Sequence, residues 1–249
     1  MVHTLSPSPA RIRYATWKGL EEAHIARADA LTHLHRERRL RGEKHPVEDF
    51  LWTYYSVKPR ELRRWHPGAG VILEDGGEDR KDWRHYAVCG DATTVNLAAF
   101  FESRRATVDY VHALLSATLD RTPQFGCFGL HEWAMVYRMT PEQTRHNRLP
   151  LRIGHAATNL VVESHPISCS HFDAYRFFTD EAAPLNVLRP TRENQPEMEQ
   201  AGCLHAGMDV YKWAFKLTPL VPSDLVADSF DLAREIRVLD MRASPYDLR

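Results

Sequence analysis

From Ala10 to about Arg41 the chain runs without proline, and Trp17, Leu20, His24, Ala28, Leu31 and Leu34 recur at roughly helical spacing. The pattern predicts one long amphipathic helix with a basic tail, starting near Ser8-Pro9 and ending at Gly42. "HPVEDFLWTYYSVKPRELRRWHPGAG" then predicts a short helix from Pro46, a break at Lys58-Pro59 and a further helical turn to Trp65. "GVILEDGGEDRKDWRHYAVCG" changes character: Val71 to Leu73 and His85 to Val88 read as strands of a β-hairpin joined by a charged loop. The glycine turn in "WHPGAGVIL" therefore runs into a strand, where a helix-hairpin-helix would need a second helix.

Further on, helices are expected over Ala92 to about Glu102, Thr107 to Arg121, and Leu130 to Tyr137. "NLVVES" and "SCSHFDAYRFF" suit either strand or helix. "TRENQPEMEQ" reads as a capped short helix and "LHAGMDVYKWAFKL" as a buried one. Ser223 is the expected N-cap of a last helix with Leu225, Phe230, Ala233, Ile236 and Leu239 as its apolar stripe. With no internal repeat, low-complexity tract or linker, residues 1–249 read as mainly α: a single compact helical domain with one or two small β-hairpins or sheets.

Composition narrows the class. With 43% hydrophobic and 26% charged residues among 249, the chain can bury a substantial core and does not have a disordered composition. No apolar run approaches the roughly 20 residues of a membrane helix, and the N-terminus lacks the apolar core of a signal peptide. A cytoplasmic protein without a membrane partner is expected. Cys89, Cys127, Cys169 and Cys203 form no close pair, so they are expected as reduced, mostly buried thiols. A net charge of -1 does not suggest a protein that coats nucleic acid, which needs phosphate neutralisation, although a local basic patch is compatible with it.

The candidate chemistry falls into three groups. Carboxylates come first, because an N-glycosidase holds a carboxylate against the sugar, where it stabilises an oxocarbenium-like transition state and orients water beside a base-stacking aromatic wall. Asp173, Asp209 and Glu132 are the catalytic candidates, with Tyr175, Trp213 and Trp133 beside them as stacking rings. Each carboxylate has a structural alternative, such as pairing with Arg176 or Lys212. Histidines come second: His165, His171 and His205, with Asp173, His131, Glu132 and Asp209 as further donors, would hold iron, zinc or manganese in a His/carboxylate site acting on a small molecule. HExxH is absent, and imidazoles often serve only buried carbonyls. Arginines come third, with Arg60, Arg63 and Arg64 as candidates for positioning phosphate, or as an ordinary solvated face.

The segments "HPVEDFLWTYYSVKPRELRRWHPG", "FGLHEWAMVYR" and "CLHAGMDVYKWAFKL" with "DLAREIRVLDMRASPYDL" together resemble a family of bacterial proteins commonly labelled 3-methyladenine DNA glycosylase, over nearly the whole chain from about Glu43 to Leu248. The resemblance implies a DNA-repair hydrolase, a glycosidase without cofactor that answers DNA damage by acting on an alkylated or otherwise modified purine, with that nucleobase in DNA as its partner. The alternatives from the residues alone are the metalloenzyme above and a non-catalytic nucleotide- or cofactor-binding protein.

Overall fold

The structure, a computed structural model, describes residues 9–127, 129–144, 146 and 148–248. It is mainly α, with 53% of residues helical, 8% in strands and one four-stranded sheet. By contacts the chain groups into two compact units. The first comprises Met1–Glu43, Tyr55–Asp109 and Tyr211–Ser229, and the second Lys44–Tyr54, Tyr110–Val210 and Phe230–Arg249.

The first unit begins with strand β1 (Ala10–Ile12), followed by helix α1 (Tyr14–Leu40). The long helix thus starts four residues later than its expected beginning at Ala10, because Ala10 to Ile12 pair in parallel with strand β2 (Val71–Leu73). Its expected start at Ser8 lies outside the described residues. Its buried face is Trp17, His24, Ala28, Thr32 and His35, while Leu20 and Leu34 of the expected stripe are exposed. Gly42 ends it with a φ of +68°, a value that glycine adopts without cost.

The sheet corrects the expected hairpin. β2 pairs with β4 (Ala92–Val95), not with β3 (Tyr86–Cys89), and β3 and β4 form the hairpin through Gly90-Asp91, giving the order β1-β2-β4-β3. A two-residue turn with Gly90 at φ +63° suits the twist of such a hairpin. Ala92 to Val95 does not open a helix as expected; its β-branched Thr93, Thr94 and Val95 fit the pleated surface instead. The charged stretch before β3 makes a helical turn (Gly77–Arg80) that buries Arg80 among the rings of Trp17, Trp65 and Trp83, 4.5, 5.5 and 5.0 Å from its guanidinium carbon, with Glu21 at 2.7 Å. That pairing lets an arginine sit inside the apolar cluster of Trp17, Trp65 and Leu73.

The helix α2 is Asp49–Tyr54, α3 is Pro59–Leu62, and the Arg80 turn is α4. Where two helices are expected, one continuous α5 (Leu97–Asp120) runs through "SRRAT", which offers neither proline nor glycine to break it. In the second unit α6 (Leu130–Ala134) ends three residues short of Tyr137, and the chain turns away through Arg138 at φ +56°. "NLVVES" is helical, within α7 (Gly154–Ser164), and "SCSHFDAYRFF" holds the turn α8 (Phe172–Tyr175) with one isolated bridge, Ile167 to Asn186. α9 is Gln195–Met198, α10 is Leu204–Lys216 and α11 is Ser223–Ala243. Ser223 stands inside α11, where its Oγ accepts from the His66 N–H (2.8 Å) and donates to the Arg64 carbonyl (3.1 Å).

The buried face of α11 is the expected one only in part: Phe230 and Ala233 of the stripe are buried and Ile236 is half-buried. Leu225 and Leu239 are 51% and 56% exposed, and within the second unit the helix buries Phe230, Ala233, Arg237, Asp240 and Met241. The thiols follow the expectation in part: all four are free, Cys169 is buried, Cys127 and Cys203 are half-buried, and Cys89 is exposed. No helix among the described residues is long and apolar enough to cross a membrane.

Candidate active site

The site lies in the second unit and is built from three helices. α6 enters through Gly129, whose φ is +75° and whose Cβ, were there one, would stand only 2.7 Å from the Ala243 methyl, so glycine alone fits without strain. That entry sets His131 and Glu132 side by side indoors. Gly207 on α10 has no side chain where a Cβ would be 2.7 Å from Ile236 Cδ1, so α10 and α11 approach closely there, with His205 and Asp209 on one and Arg237 and Asp240 on the other.

His131, Glu132, Arg237 and Asp240, with Cys127, form a connected polar network. Arg237 Nη1 donates to Glu132 Oε1 (3.0 Å) and Asp240 Oδ2 (2.9 Å); His131 Nε2 lies 2.8 Å from Asp240 Oδ1, and its Nδ1 lies 3.1 Å from Cys127 Sγ. Asp240 is 0% exposed, and Arg237 and His131 are 2% exposed. Burial alone would depress the His131 imidazole, but the Asp240 carboxylate carries it well above the usual histidine range. Burial would likewise raise Asp240, yet His131 and Arg237 hold it far below the usual carboxylate range. Glu132 goes the other way, raised by burial and then by the charge of Asp240. Burial opposes the Cys127 thiolate, but its contact with His131 lowers the thiol overall. His205 is pushed down to about 3 by burial and by the positive His131, whose ring lies 4.6 Å away, so it is neutral at pH 7.

Beside this network lies a cavity of about 180 Å³. Phe50, Tyr54, Phe177 and Tyr246 supply aromatic wall; Glu132, Asp173, His205 and Arg237 supply polar wall. Asp173 is held at one oxygen by Arg176 Nε (3.1 Å) and Arg192 Nη2 (3.4 Å). Burial, with Asp209 and Asp173 adding to it, drives the Tyr54 phenol far above its usual range, so its proton stays on and is available to Asp173.

Of the catalytic candidates, Glu132 and Asp173 share this cavity. Asp209, 1% exposed, stands instead 3.4 Å from His171 Nε2, with Glu199 at 3.6 Å from the same nitrogen. The stacking candidates are placed elsewhere: Trp133 donates to the Ala243 carbonyl (2.8 Å), Tyr175 packs on Phe178 with its hydroxyl on the Ala183 carbonyl (3.3 Å), and Trp213, in the first unit, lies under the ammonium groups of Lys212 and Lys216. Arg60, Arg63 and Arg64 are exposed in the first unit, Arg63 tied to Asp29 (2.9 Å) and Arg64 over the Trp83 ring (5.8 Å).

The metal candidates divide. His165 is exposed, its Nδ1 on the Val161 carbonyl (2.9 Å), and His171 caps α8 by accepting from the Ala174 N–H (3.2 Å). The described residues bring one other His/carboxylate set together, His131, Glu132, His205 and Asp240, whose donor atoms all lie within 4.8 Å of one another. In it Arg237 already bridges both carboxyl groups, so a divalent cation would have to displace a guanidinium.

Sequence reasoning missed Arg237, Asp240, Phe50 and Tyr54. One signal was present: Phe230, Ala233, Arg237 and Asp240 fall three and four apart, so charged residues occupy an otherwise apolar stripe. No family model, curated protein or solved structure matches the chain with significance.

Proposed function

We propose that the chain is an N-glycosidase-type hydrolase that takes a modified purine into the aromatic cavity of the second unit. The observation that carries the reading is the presence of two carboxylates in unlike surroundings on one aromatic-walled cavity: Glu132, raised by burial, and Asp173, held by two arginines. Environments that set two carboxyl groups apart assign acid and base roles. Glu132 donates its proton to the departing base as the glycosidic C–N bond breaks. Asp173 stabilises the positive sugar, orients the water whose oxygen bonds to that carbon, and takes up the proton that this water releases. Phe50, Tyr54, Phe177 and Tyr246 take the stacking role, and Arg237 fixes the Glu132 carboxyl.

The test is release of free base from alkylated duplex DNA and from 3-methyladenosine and 7-methylguanosine. Asp173→Asn is expected to cut release by on the order of 10²-fold or more with the fold intact, and Glu132→Gln to a similar degree. No release from any substrate by the unaltered protein removes the proposal. Unchanged base binding in Asp173→Asn, with no turnover in either protein, would instead support a non-catalytic binding protein.

A second reading is a small-molecule metalloenzyme, favoured by the convergence of the His131, Glu132, His205 and Asp240 donor atoms. Metal analysis of protein purified without a histidine tag separates the two: near-stoichiometric iron, zinc or manganese carries this reading, and base release by metal-free protein carries the first.

A further inference from the structure

The first unit contains a cavity of about 290 Å³ that the proposed hydrolysis does not use. Arg64, Arg84 and Arg104 line it from three separate segments: Arg64 follows α3, Arg84 precedes the left-handed His85 (φ +63°), and Arg104 stands on α5. Glu61 supplies the carboxylate on the wall, and Ser223, in the first turn of the 21-residue α11, brings that helix's positive end to it. Arginines with a structural task in this unit carry acidic partners, as Arg63 does with Asp29 and Arg80 with Glu21. Arg84 and Arg104 have none among the described residues.

A second feature of the wall is independent of the arginines. His24 is 3% exposed; its Nε2 is satisfied by the Leu62 carbonyl at 2.8 Å, and its Nδ1 is buried with no hydrogen-bond partner. A buried polar atom normally has a partner, and one without it on a cavity wall marks a place for a ligand atom. The local field is positive as well: burial, then Arg80 and Arg64, push the neighbouring His66 down to about 3.

We propose that this cavity binds a small phosphate monoester, with Arg64, Arg84 and Arg104 on the phosphoryl oxygens, the α11 terminus behind them and His24 Nδ1 on a ligand hydroxyl. Guanidinium groups match phosphate oxygens in pairs, and a helix start adds favourable N–H groups. Three guanidinium charges against that of Glu61 suit a dianion, which a monoester is and a nucleic-acid backbone phosphodiester is not. The volume falls at the small end of ligand cavities, roughly 300–1,000 Å³, so it fits a phosphate with a sugar-sized body. This inference does not rest on the glycosidase reading.

Calorimetric titration of the full chain at constant ionic strength with inorganic phosphate, ribose 5-phosphate and AMP is the test. Saturable binding of ribose 5-phosphate is expected, weakened at least tenfold in Arg84→Gln/Arg104→Gln and unchanged in Arg41→Gln, an exposed arginine outside the cavity. Arg104→Lys, which keeps the charge and loses the fork, should weaken binding partway and serves if the double variant fails to fold. Asp173→Asn should bind as the parent does, whatever the fate of base release. Absent saturable binding, equal binding by the arginine variants, or tighter binding to a short DNA duplex than to any monoester would overturn the proposal.

Discussion

Asp240→Asn removes one charge from a network whose members His131, Glu132, Arg237 and Asp240 are all buried, and each of its partners responds. Asp240 accepts from both His131 and Arg237, so its loss leaves Arg237 with Glu132 as its carboxylate in this network and deprives His131 of the charge that keeps it protonated. Breaking a buried ion pair at one partner costs about 3–5 kcal/mol, because the other charge stays indoors uncompensated. For a chain of this length about 1 kcal/mol corresponds to about 2–4 °C in Tm, so a fall of roughly 6–20 °C is expected at pH 7. The pH dependence is more diagnostic than the size. His131 is raised in the folded protein above its unfolded value, so its contribution is complete below about pH 6.5 and is lost as pH climbs toward the folded value. Between those limits the folded state holds a proton that the unfolded state has released, and stability falls by up to about 1.4 kcal/mol per pH unit. Cys127, lowered by the same contact, has the opposite slope, so the comparison is made in a Cys127→Ser background. Chemical denaturation from pH 6 to 9 should show the decline with Asp240 present and a flatter profile with Asn in its place. Equal profiles, or a penalty under about 1 kcal/mol at pH 7, would refute the charge assignment.

Gly129→Ala should destabilise the second unit by more than about 1 kcal/mol, since alanine at positive φ is strained and its methyl would meet Ala243 at 2.7 Å; a thermal melt reads it, and an unchanged Tm contradicts the tight α6 entry. Iodoacetamide should label Cys89 and Cys127 and spare Cys169 and Cys203, whose thiols burial pushes up. His131→Gln should move the onset of Cys127 labelling to higher pH, and an onset that stays put would show that the 3.1 Å contact does not stabilise the thiolate.

The sequence by itself determined several of the helices, one of their ends and one strand. Proline-free amphipathic stretches gave α1, α10 and α11, Gly42 closed α1, and the β-branched character of Val71 to Leu73 made a strand there legible. It also named Glu132, Asp173 and His205, which share the second unit's cavity. Tertiary structure decided which face of each helix turns inward. Leu225 and Leu239 lost to Arg237 and Asp240 because the latter pair meets Glu132 and His131 across α6, and buried charges are tolerated only with such partners. Strand pairing was decided the same way, since β2 could choose between two later β-rich segments and took β4. Arg64, Arg84 and Arg104 show the limit most plainly: they lie about twenty positions apart, so no periodicity relates them, and only the path of the folded chain through three elements sets them around one cavity.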